Sequence, residues 1–579
     1  MPERVIHTSQ SADLITFEVL VSGETLPRSF HVLSVDVEKE INRISCASIL
    51  LRDGDPASRD FVISNQDLFV PGKEIEIKAG YHSDEETLFK GIVMGHKLKI
   101  RSDRSFLIVT CKDKAVKLTA GRKSRYFYES SDSEMMEEII SNYGLEKDIE
   151  PINVTHKELV QYNVSDWDFC ITRAQANGMI CVVDDGKILV KKPDTGQQPV
   201  ETVTYGATML DFDAEIDARH QYSKVTTYAW NASGQELLEA EANDPGVSLN
   251  GNITPGDLAQ VIGLENLALK NGSSNNASLQ LWADSKALFN QMAKTRGRLK
   301  FQGLPAVKPG TMIKLEGVGN RFNGNVFISA VRHQIAEGNW TTDAQFGISP
   351  KWFIETADIN DLPAAGLTAA VHGLQVGIVT QLESDPEGED RILVRFPVVD
   401  NQGQGIWARV ATLDAGENRG SFFRPEIGDE VIVGFINDNP NDAVVLGMMN
   451  SSAKPAPLTA SDENHEKGFI TRSNIRFIFN DGKKSVSLET PGGKKMTLDD
   501  DAGVIHFEDE KGNKVVIDSD GITLDSSKDI ILKATGDIRI EGMNISAKAN
   551  TQFKAEGSAG AEISTSAVAV LKGSLVQIN

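Results

Sequence analysis

The chain has 579 residues, 40% hydrophobic and 24% charged, and its 59 Lys+Arg against 82 Asp+Glu give a formal net charge of −23. That length exceeds one hydrophobic core and implies about three or four domains. The acidity repels phosphate backbones and argues against nucleic acid as a partner, and no apolar run reaches the roughly 18 residues of a membrane helix.

Residues 1–10 contain no apolar core of a signal peptide. The four cysteines, Cys46, Cys111, Cys170 and Cys181, form no C-x-x-C pair and read as buried free thiols in a reducing compartment. The ten histidines show neither H-x-H nor H-E-x-x-H. No metal or other cofactor is therefore expected.

In chain order, residues 1–120 read as strands, at 17–21, 30–37, 69–81, 89–94 and 106–111. In the third, Ile75 and Ile77 alternate with Glu74, Glu76 and Lys78, the period of a half-buried strand fed by the turn Pro71-Gly72. A helix follows, capped by Asp132 or Ser133 and running through Tyr143 to Gly144. A second starts at Ser165 and ends at Asn177-Gly178, with Trp167, Cys170, Ile171 and Ala174 on its core face. Strands return from 181 to 350, interrupted by one helix near 277–296. Within the strand 326–335, His333 reads as a strand-face residue rather than a ligand. A linker at 351–372 leads to five short strands at 374–382, 390–397, 405–413, 430–437 and 442–449, the pattern of a five-stranded Greek-key barrel. A second linker, 451–470, carries Pro455 and Pro457.

The tail is the most informative segment. In Gly521-Ile-Thr-Leu-Asp525, Asp529-Ile-Ile-Leu-Lys533 and Asp537-Ile-Arg-Ile-Glu541 the apolar pairs Ile522/Leu524, Ile530/Leu532 and Ile538/Ile540 recur every eight residues. After a slip of one, Ile545 and Ala547 are followed by Phe553 and Ala555. Upstream, Met496/Leu498, Ile505/Phe507 and Val515/Ile517 recur at nine to ten residues. Two apolar side chains per octad cannot enclose a core in one chain, whose coils usually need about 20 residues or more. Three chains wound about one axis share a core and pair every strand edge. An ordinary β-meander that folds alone is the competing reading, favoured by the hairpin-like stretch 475–520.

These residues resemble the VgrG family of contractile injection and type VI secretion spikes, which combine a phage-type baseplate hub with a cell-puncturing spike. The strongest match is 373–450, with Gly377-Ile-Val379, Arg391-Ile-Leu-Val-Arg-Phe-Pro397, Ile406-Trp-Ala-Arg-Val410 and Phe423-Arg-Pro-Glu-Ile-Gly-Asp-Glu-Val-Ile-Val433, similar to the spike OB domain. Residues 1–350 resemble the hub through Phe69-x-Pro-Gly-x-x-Ile-x-Ile, Phe89-x-Gly-Ile and Asp166-Trp-Asp-Phe. The resemblance implies a mainly β chain with minor α. Its parts would be a hub of two β-barrel-like domains with helical insertions at 1–350, a linker, an OB-fold neck at 373–450, a second linker, and a triple-stranded intertwined β-helix, or prism, at 471–579.

It further implies a non-enzymatic homotrimer that caps the inner tube and meets baseplate components. It would lie in the cytoplasm until fired, then outside or in the target cell, delivering effectors. The spike core would be Ile522, Leu524, Ile530, Leu532, Ile538, Ile540, Ile545 and Phe553. A PAAR-like tip protein would seat on Val576, Ile578 and Asn579. About 20 residues separate barrel from prism, too few for an inserted lysozyme domain. Two other classes stay open: a cell-wall hydrolase on a β-scaffold and a phage-type receptor-binding fibre.

Overall fold

A computed structural model describes residues 15–27, 29–272 and 274–578. Strand outweighs helix, 40% against 11%, which places the chain in the mainly β class. Chain contacts separate two compact units, Met1–His372 with Asn437–Pro440, and Gly373–Ile436 with Asn441–Asn579.

The first unit is organised by one 13-stranded sheet. Its N-terminal half runs Val32–Glu40, Cys46–Arg52, Ser105–Lys112, Asp84–Ile100, Glu74–Tyr81 and Ile15–Val21. Alternation works as the sequence suggests: Ile75, Ile77 and Ala79 are buried, with Val35, Val37, Ile49 and Val109, in one core. The other half runs Met209–Ile216, Thr295–Gln302, Asn339–Phe346 and Gly324–Ala336, over a second core that includes Leu299, Ile313, Ile328 and Phe346. Strand Gly324–Ala336 pairs with both Asn339–Phe346 and Val32–Glu40. One sheet therefore runs through both halves of the unit.

Each half carries an insertion. The first holds the helices Asp132–Ser141 and Asp166–Ala176 over Met135, Met136, Ile139, Trp167 and Ile171. The first helix is capped one residue earlier than expected, by Ser131. Its hydroxyl accepts from the Glu134 N–H, and the Glu134 carboxylate accepts from the Ser131 N–H. The carboxylate of Asp132 accepts from Arg173 Nε at 2.5 Å, His156 Nε2 at 3.0 Å and Asn177 Nδ2 at 2.9 Å. Burial works to raise this carboxyl, and the bonds from Arg173 and His156 outweigh it and hold it well below the usual range. Lys39, itself buried, reaches Asp184 at 2.5 Å and Asp185 at 3.1 Å, tying the hairpin Ile180–Asp184/Lys187–Lys191 to the sheet.

The second insertion contains two helices rather than one. Beside Asn276–Met292 stands Pro255–Ile262, closed by a capping box of Thr254 and Asp257 and ended by Gly263 in the left-handed region at φ 70°. His333 is a buried strand residue bonded to Thr342 Oγ1 at 3.0 Å. Burial and the nearby Lys39 and Lys308 charges pull its pKa down to about 3. The segment 351–372 includes the short helix Phe353–Thr356 and the 3-10 turn Pro363–Gly366.

In the second unit, strands Gln375–Gln381, Ile392–Arg395, Ile406–Val410, Ala443–Met448 and Glu430–Phe435 close into a barrel. The parallel pair Arg409–Val444 and Val410–Val445 makes the closure. Val379, Ile392, Val394, Val431, Val433 and Val445 fill it. At Gly377 a Cβ would stand 2.3 Å from Val394 Cγ1, so only glycine fits there. Among the described residues, no helix is long and apolar enough to cross a membrane.

Candidate functional site

Beyond the barrel the chain forms an antiparallel meander of seven strands: Glu466–Ile470, Arg476–Asn480, Ser485–Glu489, Lys495–Asp499, Val504–Glu508, Lys514–Asp518 and Gly521–Asp525. The first lies inside the segment expected as linker. Paired as Glu466–Asn480 to Ile470–Arg476, it stacks Phe469 on Phe423 with ring centres 4.9 Å apart. Tight turns separate the strands. In the turn at Lys511–Asn513 the Asp509 carboxylate accepts both the Lys511 and Asn513 N–H groups while Gly512 takes φ 81°.

Directly paired residues on antiparallel strands point to the same face. One row on that face is Phe479, Val486, Leu498, Ile505, Ile517 and Ile522, each opposite the next. The second row is Phe477, Leu488, Met496, Phe507, Val515 and Leu524. Phe469 extends it, opposite Phe477. The other face carries Ser487, Thr497, His506 and Thr523 in one row with Ile478 and Val516. The segment is thus an amphipathic sheet with two apolar stripes on one side.

Among the described residues those stripes are covered only in part. Among the described residues none beyond Val445 is buried. Leu498 is 41% exposed and Phe507 41%. A contiguous apolar face of this size in water marks an interaction surface.

After Asp525 the pairing changes character. Among the described residues none from 526 to 578 belongs to a strand. The expected spike-core residues fall on both sides of this point. Ile522 and Leu524 end the two rows of the meander, while Ile530, Leu532, Ile538, Ile540, Ile545 and Phe553 lie in the segment without strand pairing. All eight are more than half exposed. Val576 and Ile578 are exposed as well, and Asn579 lies outside the described residues. The Phe469–Leu488 part of the apolar face was not singled out from sequence. Its signal was the alternation Phe477-Ile-Phe479 followed at seven to nine residues by Val486 and Leu488.

Several groups with chemical potential are otherwise engaged or buried. Asp385, in the acidic loop of the barrel, takes Arg391 Nη2 at 2.6 Å and the backbone N–H groups of Glu387, Glu389 and Arg391, so it closes its own loop. Cys111, Cys170 and Cys181 are buried, and burial pushes the Cys111 thiol up to about 12. Among the described residues no cluster of three or more His, Cys, Asp or Glu could hold a metal ion.

Two family models match the chain. The Alg8 N-terminal domain covers residues 11–337, and the type VI secretion system/phage-baseplate injector OB domain covers 375–449. A type VI secretion system spike protein of Vibrio cholerae, VgrG3, is 29% identical over 124 residues, 20% of this chain and 12% of that protein. The Pseudomonas aeruginosa spike protein VgrG4b is 29% identical over 158 residues, 25% of this chain and 16% of that one. The chain therefore spans less than a fifth of the length of these relatives. A tail protein from Neisseria meningitidis has a solved structure with TM-score 0.44 and 15% identity, over 59% of this chain and 98% of that one. The first model alone takes in more than half of the chain, so the protein belongs to the Alg8 N-terminal domain family, while its barrel matches the injector OB domain and VgrG-type spike proteins are among the proteins it is similar to.

Proposed function

We propose that three copies of the chain assemble into the spike of a contractile injection machine, with the apolar stripes of the three meanders facing one axis. Below Asp525 each chain supplies extended segments whose strand partners come from the other two. The observation that carries this is the continuity of the two rows. They are paired within one chain down to Ile522 and Leu524, and the same apolar couple then recurs every eight residues where one chain offers no partner strand. Covering the half-exposed side chains contributes about 1 kcal/mol each, which a lone chain leaves in water.

In this reading residues 1–350 are a hub that caps the inner tube and meets baseplate components, 373–450 a neck and 471–579 a prism, with linkers between. The prism end, Val576, Ile578 and Asn579, seats a small PAAR-like tip protein, and effectors ride on the assembly. The protein performs no turnover. Sheath contraction supplies the work, and the spike needs only to be stiff. It waits in the cytoplasm and is driven out on firing.

A cross-link tests the geometry. In a Cys46→Ser background, Ile530→Cys places three thiols around the axis. A trifunctional maleimide should yield a covalent trimer on a denaturing gel, and monomer bands alone would refute the register. Incubation with peptidoglycan addresses the hydrolase alternative, since any turnover by the purified chain counts against a purely structural role.

A further inference from the structure

A cavity of about 850 Å³ lies across the large sheet of the first unit. It crosses neighbouring strands where Ala214, Gly297 and Phe346 stand opposite one another. The turn after strand Val32–Glu40 and the short helix Phe353–Thr356 form its other walls. Pockets that hold a small molecule or a peptide segment run to roughly 300–1,000 Å³.

Two side-chain amides border it. Asn42, in the left-handed region at φ 59°, is 9% exposed, and Gln175, in the last turn of helix Asp166–Ala176, is 4% exposed. In each the oxygen is pinned by a backbone donor. The Cys181 N–H donates to Asn42 Oδ1 at 2.9 Å, and the Phe353 N–H donates to Gln175 Oε1 at 2.6 Å. These bonds fix which end of each amide is the –NH2 group. Among the described residues neither –NH2 group has a hydrogen-bond partner, and neither nitrogen is sealed from solvent. The space that both residues border is this cavity, so it receives the open donors of two side chains that are themselves at least nine-tenths buried.

The rest of the lining offers little to an ion. Glu40 pairs with Arg43 at 3.1 Å, Glu215 with Arg296 at 2.8 Å and Asp213 with Arg298 at 3.5 Å, which leaves Lys351 among the charged residues of the wall. Ile41, Ile348 and Phe353 add apolar surface. A matching ligand is neutral, rich in hydrogen-bond acceptors and partly apolar. A carbohydrate brings an O–H donor with every hydroxyl acceptor, and the two amide oxygens that could take them are already engaged. We infer that the cavity binds an extended segment of neutral peptide, whose backbone carbonyls accept from Asn42 Nδ2 and Gln175 Nε2.

Saturation-transfer NMR on the full-length protein reads the binding of three probes: trialanine capped at both ends, the same peptide with a free C-terminal carboxylate, and maltotriose. The capped peptide should give a saturable signal, its acid should bind no more tightly, and maltotriose should give none. Gln175→Glu and Asn42→Asp keep the oxygen that Phe353 or Cys181 donates to and replace the –NH2 group by a second acceptor. Each should weaken the capped peptide by about tenfold or more. Should either variant fail to fold, Thr356→Trp is read instead. It fills the cavity from an exposed position on its wall and should abolish the signal. No saturable signal from the capped peptide, a clear preference for the acid, equal binding of maltotriose, or wild-type affinity in a folded variant would overturn the assignment.

Discussion

Leu498 and Ile505 stand opposite each other on neighbouring strands, and each keeps about two-fifths of its surface in water, 41% and 37%. In a sheet that folded as an independent unit this central pair would be the best covered. Here it is the middle of a face that the described residues leave partly in water.

An acidic side chain on that face should therefore break assembly, while a substitution on the other should not. Leu498→Asp is expected to convert the assembly to monomer in sedimentation velocity, because a buried unpaired carboxylate is costly. Lys495→Ser, on the opposite face, should leave the mass unchanged. Equal behaviour of the two variants would assign the wrong face.

Further down, Ile530→Asp would bring three carboxylates to one dry axis and should abolish the trimer. An intact trimer for this variant, measured by light scattering, would show that Ile530 does not point inward.

Loss of residues 576–579 should leave the trimer intact and remove tip-protein binding. A pull-down in which the truncated chain retains an undiminished PAAR-like partner would place the tip site elsewhere.

The first unit makes a separate prediction through His333. Its folded pKa of about 3 lies below the ordinary value of 6.5, so the native state refuses a proton that the unfolded chain accepts. Stability from this group is full above about pH 6.5 and falls as the pH drops towards 3, by about 1.4 kcal/mol per unit. Denaturation of wild type and His333→Asn between pH 7 and 4.5 isolates the effect, and the variant should show the shallower slope. Parallel slopes would mean that His333 is not held neutral.

Asp132→Ala should destabilise the first insertion by about 3 kcal/mol, since it leaves Arg173 facing a buried site without its partner. Ser131→Ala, which loses only the cap, should cost about 1 kcal/mol. A reversed order in chemical denaturation would show that the cap, not the ion pair, holds the helix.

Much of the fold is legible where local chemistry decides it. Ile75 and Ile77 are buried because strict alternation leaves them no other face, and Ser165 caps its helix because Asp168 stands three residues on with a free N–H. The run Ser130-Ser-Asp-Ser133 offers several caps, and only the reciprocal bond with Glu134 selects Ser131. The helix Pro255–Ile262 was hidden because Pro255-Gly256 reads as a turn, although Thr254 and Asp257 spell a capping box. Strand Glu466–Ile470 looks like linker because it has few apolar residues and forms through pairing with Arg476–Asn480. The apolar couples of the tail are plain in the sequence. Their partners are not, because the couples after Asp525 carry no local mark of the strand they would pair with.

The absolute mass of the purified full-length chain at micromolar concentration, by light scattering coupled to size exclusion, tests the central claim most directly. A mass of three chains is predicted. A single-chain mass with the segment 466–578 protected from proteolysis would contradict it, since those residues would then be ordered without partners.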